Sequence, residues 1–175
     1  MKKLIIYFYF LLAISCNQKN NENIETFEKA SIIKIEEKNI KEQYIENETL
    51  LALMETDLNE FSKNSELIIE KELIKNNHVD NLIDTIKTLK FDRIRIKSYK
   101  TASEEWIFEA KIQNSEFELL KSIKIGMEKN HLEKTLNNKI IADIIKVGNL
   151  EQTSVFVFRF KNNILEEIEY EGYVD

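Results

Sequence analysis

The sequence predicts an α+β fold, an antiparallel β-sheet with helices packed on one face, preceded by a signal peptide and a flexible tether. Three observations predict it. Several segments in the second half of the chain alternate apolar and polar residues, which is typical of half-buried strands. One segment in the first half repeats apolar residues every three or four positions, as an amphipathic helix does. The chain begins with two lysines and a short apolar run, followed by a polar stretch.

The first element is an export signal that ends at Cys16, the only cysteine in the chain. Lys2 and Lys3 are followed by an apolar run over residues 4–14, and Ser15 comes directly before the cysteine. Eleven or so residues make a helix of roughly 16 Å, too short for a hydrocarbon core of roughly 30 Å, so a transmembrane anchor is disfavoured. A small residue before cysteine resembles a bacterial lipobox. The resemblance implies cleavage between Ser15 and Cys16 and acylation of Cys16 with palmitate-like chains.

The sequence therefore divides into a signal peptide at 1–15, a lipidated Cys16 with a polar tether to residue 28, and one domain at 29–175. Two or more acyl chains anchor a protein stably to a membrane. We expect the protein in the cell envelope, attached through Cys16. Asn17 is not the aspartate that retains many enterobacterial lipoproteins in the inner membrane, so the outer membrane is favoured.

Composition excludes several classes of protein. Hydrophobic residues are 43% and aromatic residues 10% of the chain, which excludes a disordered protein. The formal charge is −6, and it becomes −8 when Lys2 and Lys3 leave with the signal peptide. An acidic balance argues against nucleic acid as a partner, because phosphate binding needs clustered Lys and Arg. Once Cys16 is lipidated, no thiol remains for a disulfide, a nucleophile or a metal site.

In the first half of the domain, the elements are a helix and several short extended segments. Residues 31–36 are β-rich. The spacing of Leu50, Leu51, Met54 and others predicts a helix over 47–61, with Asn47 as its N-terminal cap. Residues 67–74 fit either a helix or a strand. Residues 79–86 have helical spacing, and an extended segment over 86–91 follows.

Strands dominate the second half. Alternating residues predict strands beginning near Ile94 and over 106–112. Gly126 ends a short extended piece, and a helix is expected over 128–136. A strand is then expected over 140–147, followed by a central strand with two apolar faces over 154–160. Asn162-Asn163 form a hairpin turn, and a strand returns over 165–174 with Glu167, Glu169 and Glu171 facing water.

The last third carries a family resemblance. This segment contains Ile125-Gly126-Met127, Lys129 and a helix with Leu132 and Leu136. The pattern resembles the beginning of BamE-like and β-lactamase-inhibitor-protein-like folds. The resemblance implies a helix that leads into antiparallel strands. The chain departs from it after Leu136, where Asn137-Asn138-Lys139 replace the usual Leu-Gly-x-Pro. The chain as a whole resembles small lipoproteins of Bacteroidetes-type bacteria, which implies no particular chemistry.

Two groups of residues have the types that metals bind. His78, Asp80 and Asp84 could bind a divalent metal, or they could form a polar turn after Asn76-Asn77. Glu128 and His131 have the spacing of a di-iron ligand pair, but such sites need a second copy and a four-helix bundle. An exposed helix face explains this second pair more simply, so no metal ligands are assigned.

Other motifs favour structure over catalysis. Ser154 lacks a Gly-x-Ser-x-Gly context, and three glycines cannot form a phosphate loop or a dinucleotide fingerprint. The acids over 166–171 alternate as on the solvated face of a strand. Trp106 fits a core position better than a ligand-stacking surface.

These observations predict a membrane-anchored, non-enzymatic lipoprotein without a cofactor, which binds another envelope protein or assists envelope assembly. A lipoprotein that binds a small ligand or a metal is the alternative. A hydrolase whose site the sequence does not reveal is a further alternative.

Overall fold

The computed structural model describes residues 41–64, 66–76 and 78–173, which contain eight strands and two helices. In chain order the elements are β1 (Glu42–Glu46), α1 (Glu48–Phe61), β2 (Ile68–Lys75), β3 (Ile83–Phe91), β4 (Ile94–Lys100), β5 (Glu105–Ile112), α2 (Lys129–Leu136), β6 (Ile144–Gly148), β7 (Val155–Lys161) and β8 (Ile164–Glu171).

The strands form one sheet in the order β1-β6-β7-β8-β5-β4-β3-β2. All neighbouring strands are antiparallel except β1 and β6, which are parallel. The prediction of an antiparallel sheet is therefore wrong at this edge, and the sheet is mixed. The reason is connectivity. Since β1 is followed by α1 and lies at the opposite edge from β2, no hairpin sets its direction.

The core lies on one side of the sheet, and β7 is buried on both sides. Phe156 and Phe158 are 0% exposed and belong to the core cluster. Val157, on the opposite side of the strand, is also 0% exposed. This confirms the prediction of a central strand over these residues. Asn162 and Asn163 connect β7 to β8 with φ angles of 52° and 64°, as a two-residue hairpin turn requires.

The helices predicted over 47–61 and 128–136 are both present, as α1 and α2. Asn47 caps α1, because its side chain accepts a hydrogen bond of 2.9 Å from the backbone N–H of Leu50. Three apolar residues of α1 are buried in the same cluster as the strands: Leu51, Met54 and Leu58. The Tyr170 hydroxyl of β8 donates a hydrogen bond of 2.7 Å to Glu55 of α1. Leu132 and Leu136 of α2 are buried, and Asn137, with a φ of 48°, caps the C-terminal end of the helix.

Three predicted segments differ in the structure. The ambiguous segment near residue 68 is the strand β2. Helical spacing over 79–86 does not form a helix. Asn76 accepts hydrogen bonds from the N–H groups of His78 and Val79, so a polar turn leads directly into β3. The strand predicted over 140–147 begins only at Ile144.

The described residues belong to one compact unit. The signal peptide, Cys16, the tether and the β-rich segment at 31–36 lie outside the described residues. Among the described residues, no helix is long and apolar enough to cross a membrane.

Candidate functional site

One edge of the sheet, β2, exposes an unusual number of apolar side chains. Within the described residues β2 pairs with β3 alone, so the backbone groups on its outer side have no strand beside them. Ile69 is 54% exposed and Leu73 is 72% exposed. Ile83 of β3 is 64% exposed and lies opposite Lys75. Long exposed apolar edges favour pairing with another chain, so proteins normally protect them.

Lysines alternate with these apolar side chains on the same face of the sheet. The strand register places Lys71 opposite Lys87, Lys75 opposite Ile83, and Lys100 opposite Thr85. We name this face of β2 to β4 the edge surface, and its members are Ile69, Lys71, Leu73, Lys75, Ile83 and Lys100. Lys71, Lys75 and Lys100 make no ion pair with the described residues.

The opposite face of the sheet differs, because its charged side chains pair with one another. Glu109 binds Arg95 at 2.9 Å and Lys97 at 2.8 Å. Two acids of β8 also pair with cations on neighbouring strands, Glu167 with Lys111 at 2.8 Å and Glu169 with Arg159 at 2.7 Å. Glu171 is exposed as predicted. Glu167 and Glu169 lie on the predicted outer face, but ion pairs cover much of their side chains. Their side chains are only 13% and 22% exposed and are held by cations from neighbouring strands.

These ion pairs shift the acidity of the groups involved. Burial alone raises the pKa of Glu167, but hydrogen bonds from Lys111 and Gln113 outweigh it and hold that pKa below its usual value. Burial is likewise the largest single influence on Glu109 and acts to raise its pKa, but the hydrogen bonds and charges of Lys97 and Arg95 together outweigh burial and lower it. Hydrogen bonding to Glu167 raises the pKa of Lys111. The charges of this face therefore neutralise each other.

A cleft of about 310 Å³ lies beside the edge surface, where α1 ends. Asn59, Ser62 and Lys63 border it from the helix end. The sheet supplies the rest of the lining: Ile69, Lys87, Leu89, Ser98, Glu105, Trp106 and Ile107. Leu89 and Ile107 are 5% and 9% exposed and belong to the core cluster. The cleft thus has an apolar floor and polar groups from both sides.

Three of the polar groups in the cleft are bonded together. Glu105 accepts a hydrogen bond of 2.8 Å from the hydroxyl of Ser98 and forms an ion pair of 2.5 Å with Lys87. Ser98 is only 2% exposed. Burial acts to raise the pKa of Glu105, but the hydrogen bonds from Lys87 and Ser98 keep it below the usual value. Lys87 and Ser98 therefore hold the Glu105 carboxylate in place at the edge of the cleft.

Asp84 is the most deeply buried acid of the described residues, at 1% exposed. Its Oδ2 accepts hydrogen bonds from the Tyr99 hydroxyl at 2.7 Å and from the Asn76 amide at 2.5 Å. Its Oδ1 is buried and has no hydrogen-bond partner among the described residues. The hydrogen bond to Asp84 raises the pKa of Tyr99. Because Asn76 also holds the backbone of His78 and Val79, Asp84 anchors the turn between β2 and β3.

The candidate metal residues do not come together. His78 and Asp80 are exposed on the turn, whereas Asp84 is buried beneath it. Glu128 and His131 are both exposed, Glu128 as the residue before α2. Among the described residues no group of three or more His, Cys, Asp and Glu side chains could hold a metal ion. Trp106 is partly buried, and its ring lies 5.0 Å from that of Tyr99.

Sequence reasoning missed the cleft residues Lys87, Ser98 and Glu105, which come from three different strands. Ser98 had one local signal, because it follows Ile94 and Ile96 at the alternating positions that face the core. A polar residue at such a position needs a hydrogen-bond partner. The identity of that partner, Glu105, depends on the pairing of β4 with β5.

Comparison with known proteins adds no relative. No protein-family model, curated protein or solved structure matches the chain.

Proposed function

We propose that this protein is a lipid-anchored, non-enzymatic binding protein of the cell envelope, which takes up an extended segment of a partner protein at β2. In this proposal the helices lie on the core side of the sheet and leave most of β2 uncovered. The observation that carries the proposal is β2 itself, an eight-residue edge strand whose Ile69 and Leu73 are more than half exposed.

The backbone of β2 suits strand addition. An added strand forms main-chain hydrogen bonds with an exposed sheet edge, and alternating side chains provide the specificity. On the edge surface, the alternating residues of β2 are Ile69, Lys71, Leu73 and Lys75. A partner strand that alternates apolar and acidic residues would match this order.

Charge favours an acidic segment over a second copy of the chain. Two copies of β2 paired about Lys71 in a continuous sheet would place Lys71 against Lys71 and Glu70 against Glu72. Like charges directly opposite each other destabilise a strand pair. An acidic segment would instead give the unpaired lysines of the edge surface the partners that the described residues do not supply.

Site-specific photocrosslinking tests the surface. A photoreactive phenylalanine analogue replaces Leu73 in the full chain within its own envelope, and the adduct is identified by mass spectrometry. Leu150 is the matched control position, because it is 64% exposed and lies outside the edge surface. We expect a discrete adduct from position 73 and none of the same mass from position 150. The same adducts from both positions, or none from either, would contradict the proposal.

Charge reversal tests the partner's chemistry. The double change Lys71→Glu and Lys75→Glu should abolish the adduct formed from position 73. Lys161→Glu, at an exposed lysine at the end of β7, should leave it unchanged. A partner captured equally by both variants would rule out recognition by acidic residues.

Anchoring is tested separately at Cys16. Cys16→Ser removes both the sulfur that would carry lipid and the expected cleavage site. We expect the variant to leave the membrane fraction or to keep its signal peptide. If it partitions and migrates like the parent chain, and the parent carries no mass of lipid size, the lipoprotein proposal fails while the binding proposal remains open.

A further inference from the structure

The cleft beside α1 has the dimensions and lining of a small-ligand site. Its volume of about 310 Å³ lies at the lower end of the roughly 300–1,000 Å³ usual for ligand pockets. Leu89 and Ile107 make an apolar floor that is anchored in the core. Such pockets combine an apolar lining with a few polar groups that orient the ligand.

The polar groups of the cleft leave a positive charge for a ligand. Lys87 and Lys63 both line it, and Glu105 is the one acid among the described residues that line it. Glu105 already pairs with Lys87 and accepts from Ser98. Lys63 makes no ion pair with any described residue, and the positive charge of Lys100 also acts on Glu105. The cleft is positively charged, whereas the whole chain has a net charge of −6. An anion is therefore attracted to the cleft and not to the protein surface in general.

We propose that this cleft binds a small amphiphilic carboxylate, a carboxylate group attached to a short apolar tail. The carboxylate binds the ammonium of Lys63 and the remaining N–H groups of Lys87. The tail lies on Leu89 and Ile107, with Ile69 at its side. A long acyl chain exceeds the cavity, and an amine meets the two lysines unfavourably.

This inference rests on different observations from strand addition at β2. Ile69 is the only residue shared by the edge surface and the cleft. One proposal can therefore fail while the other stands.

Calorimetric titration tests the ligand class. The full chain is held in nanodiscs of zwitterionic lipid, and empty nanodiscs provide the blank. Hexanoate, hexylamine and acetate are compared at millimolar concentration. We expect saturable binding of hexanoate only, because acetate lacks the tail and hexylamine has the wrong charge. Binding of hexylamine as tight as that of hexanoate, or no binding of hexanoate, would overturn the proposal.

Two further measurements locate the binding. Lys63→Glu changes an exposed side chain, so the fold is retained, and it should weaken hexanoate about tenfold, since 1.4 kcal/mol corresponds to a factor of ten. Lys161→Glu is the matched control and should leave the affinity unchanged. In methyl NMR, hexanoate should shift Leu89 and Ile107 but not the core residue Ile168. Equal weakening by both variants, or shifts away from the cleft, would refute the site.

Discussion

Truncating Phe158 to alanine tests the central position of β7. Phe158 is 0% exposed, and its neighbours in the register are Ile145 of β6 and Ile168 of β8, which are also 0% exposed. An aromatic side chain buries about 150–250 Å². At about 25 cal/mol per Å², that area corresponds to about 4–6 kcal/mol. Alanine keeps the Cβ, so the expected loss is close to the usual cost of about 3–5 kcal/mol for a buried Phe→Ala change.

That cost is large beside the total stability of roughly 5–15 kcal/mol expected of a domain. For a chain of this size, about 1 kcal/mol lowers the melting temperature by about 2–4 °C. Phe158→Ala should therefore lower it by about 6–20 °C in a chain that lacks residues 1–28. Thermal unfolding followed by circular dichroism, with urea unfolding as a second measure, gives the change directly.

Two control substitutions make the result specific. Leu150→Ala removes an apolar side chain that is 64% exposed and should change the free energy of unfolding by less than about 0.5 kcal/mol. Glu169→Ala removes a partly exposed ion pair with Arg159 and should cost at most about 1 kcal/mol. If Phe158→Ala destabilises no more than these two, the burial of β7 between β6 and β8 is wrong.

Three other predictions follow from the structure. The pKa values of Glu109 and Glu167 are lowered on folding, so the folded state binds fewer protons than the unfolded state. The resulting stabilisation is fully present above the usual pKa of 4.5 and is lost as pH falls through the lowered pKa values. Lys111→Met removes the cation that lowers the pKa of Glu167, so in acid unfolding curves this variant should unfold at higher pH than the parent chain. Asp84→Asn keeps an acceptor for Tyr99 and Asn76, so its melting temperature should stay well above that of Asp84→Ala. Equal losses would argue against the hydrogen bonds as the reason for Asp84. Gly148→Ala should destabilise the folded protein by about 1–3 kcal/mol in urea unfolding, because its new Cβ would lie 2.6 Å from the carbonyl oxygen of Ser154. A neutral effect would show that β6 moves freely at this position.

Several elements could be predicted because their signals are local. The apolar stripe and Asn47 predict α1, since a helix and its cap depend on residues three or four apart. The two-faced apolar run predicts a central strand, and Asn162-Asn163 predicts the turn after it. The helical spacing of residues 79–86 does not correspond to a helix, because the apolar spacing of a short turn resembles that of a helix.

Local patterns of residues are therefore enough to predict the helices, the apolar core positions of β7 and the acidic balance of the chain. The folded structure was needed to show that β2 is an exposed edge, that β1 runs parallel to β6, and that Asp84 is buried while His78 is not. It also brought Lys87, Ser98 and Glu105 into one cleft. The physical reason is strand pairing. Which residues meet across a sheet depends on the order and register of strands far apart in sequence, and a local pattern of side chains does not contain that information.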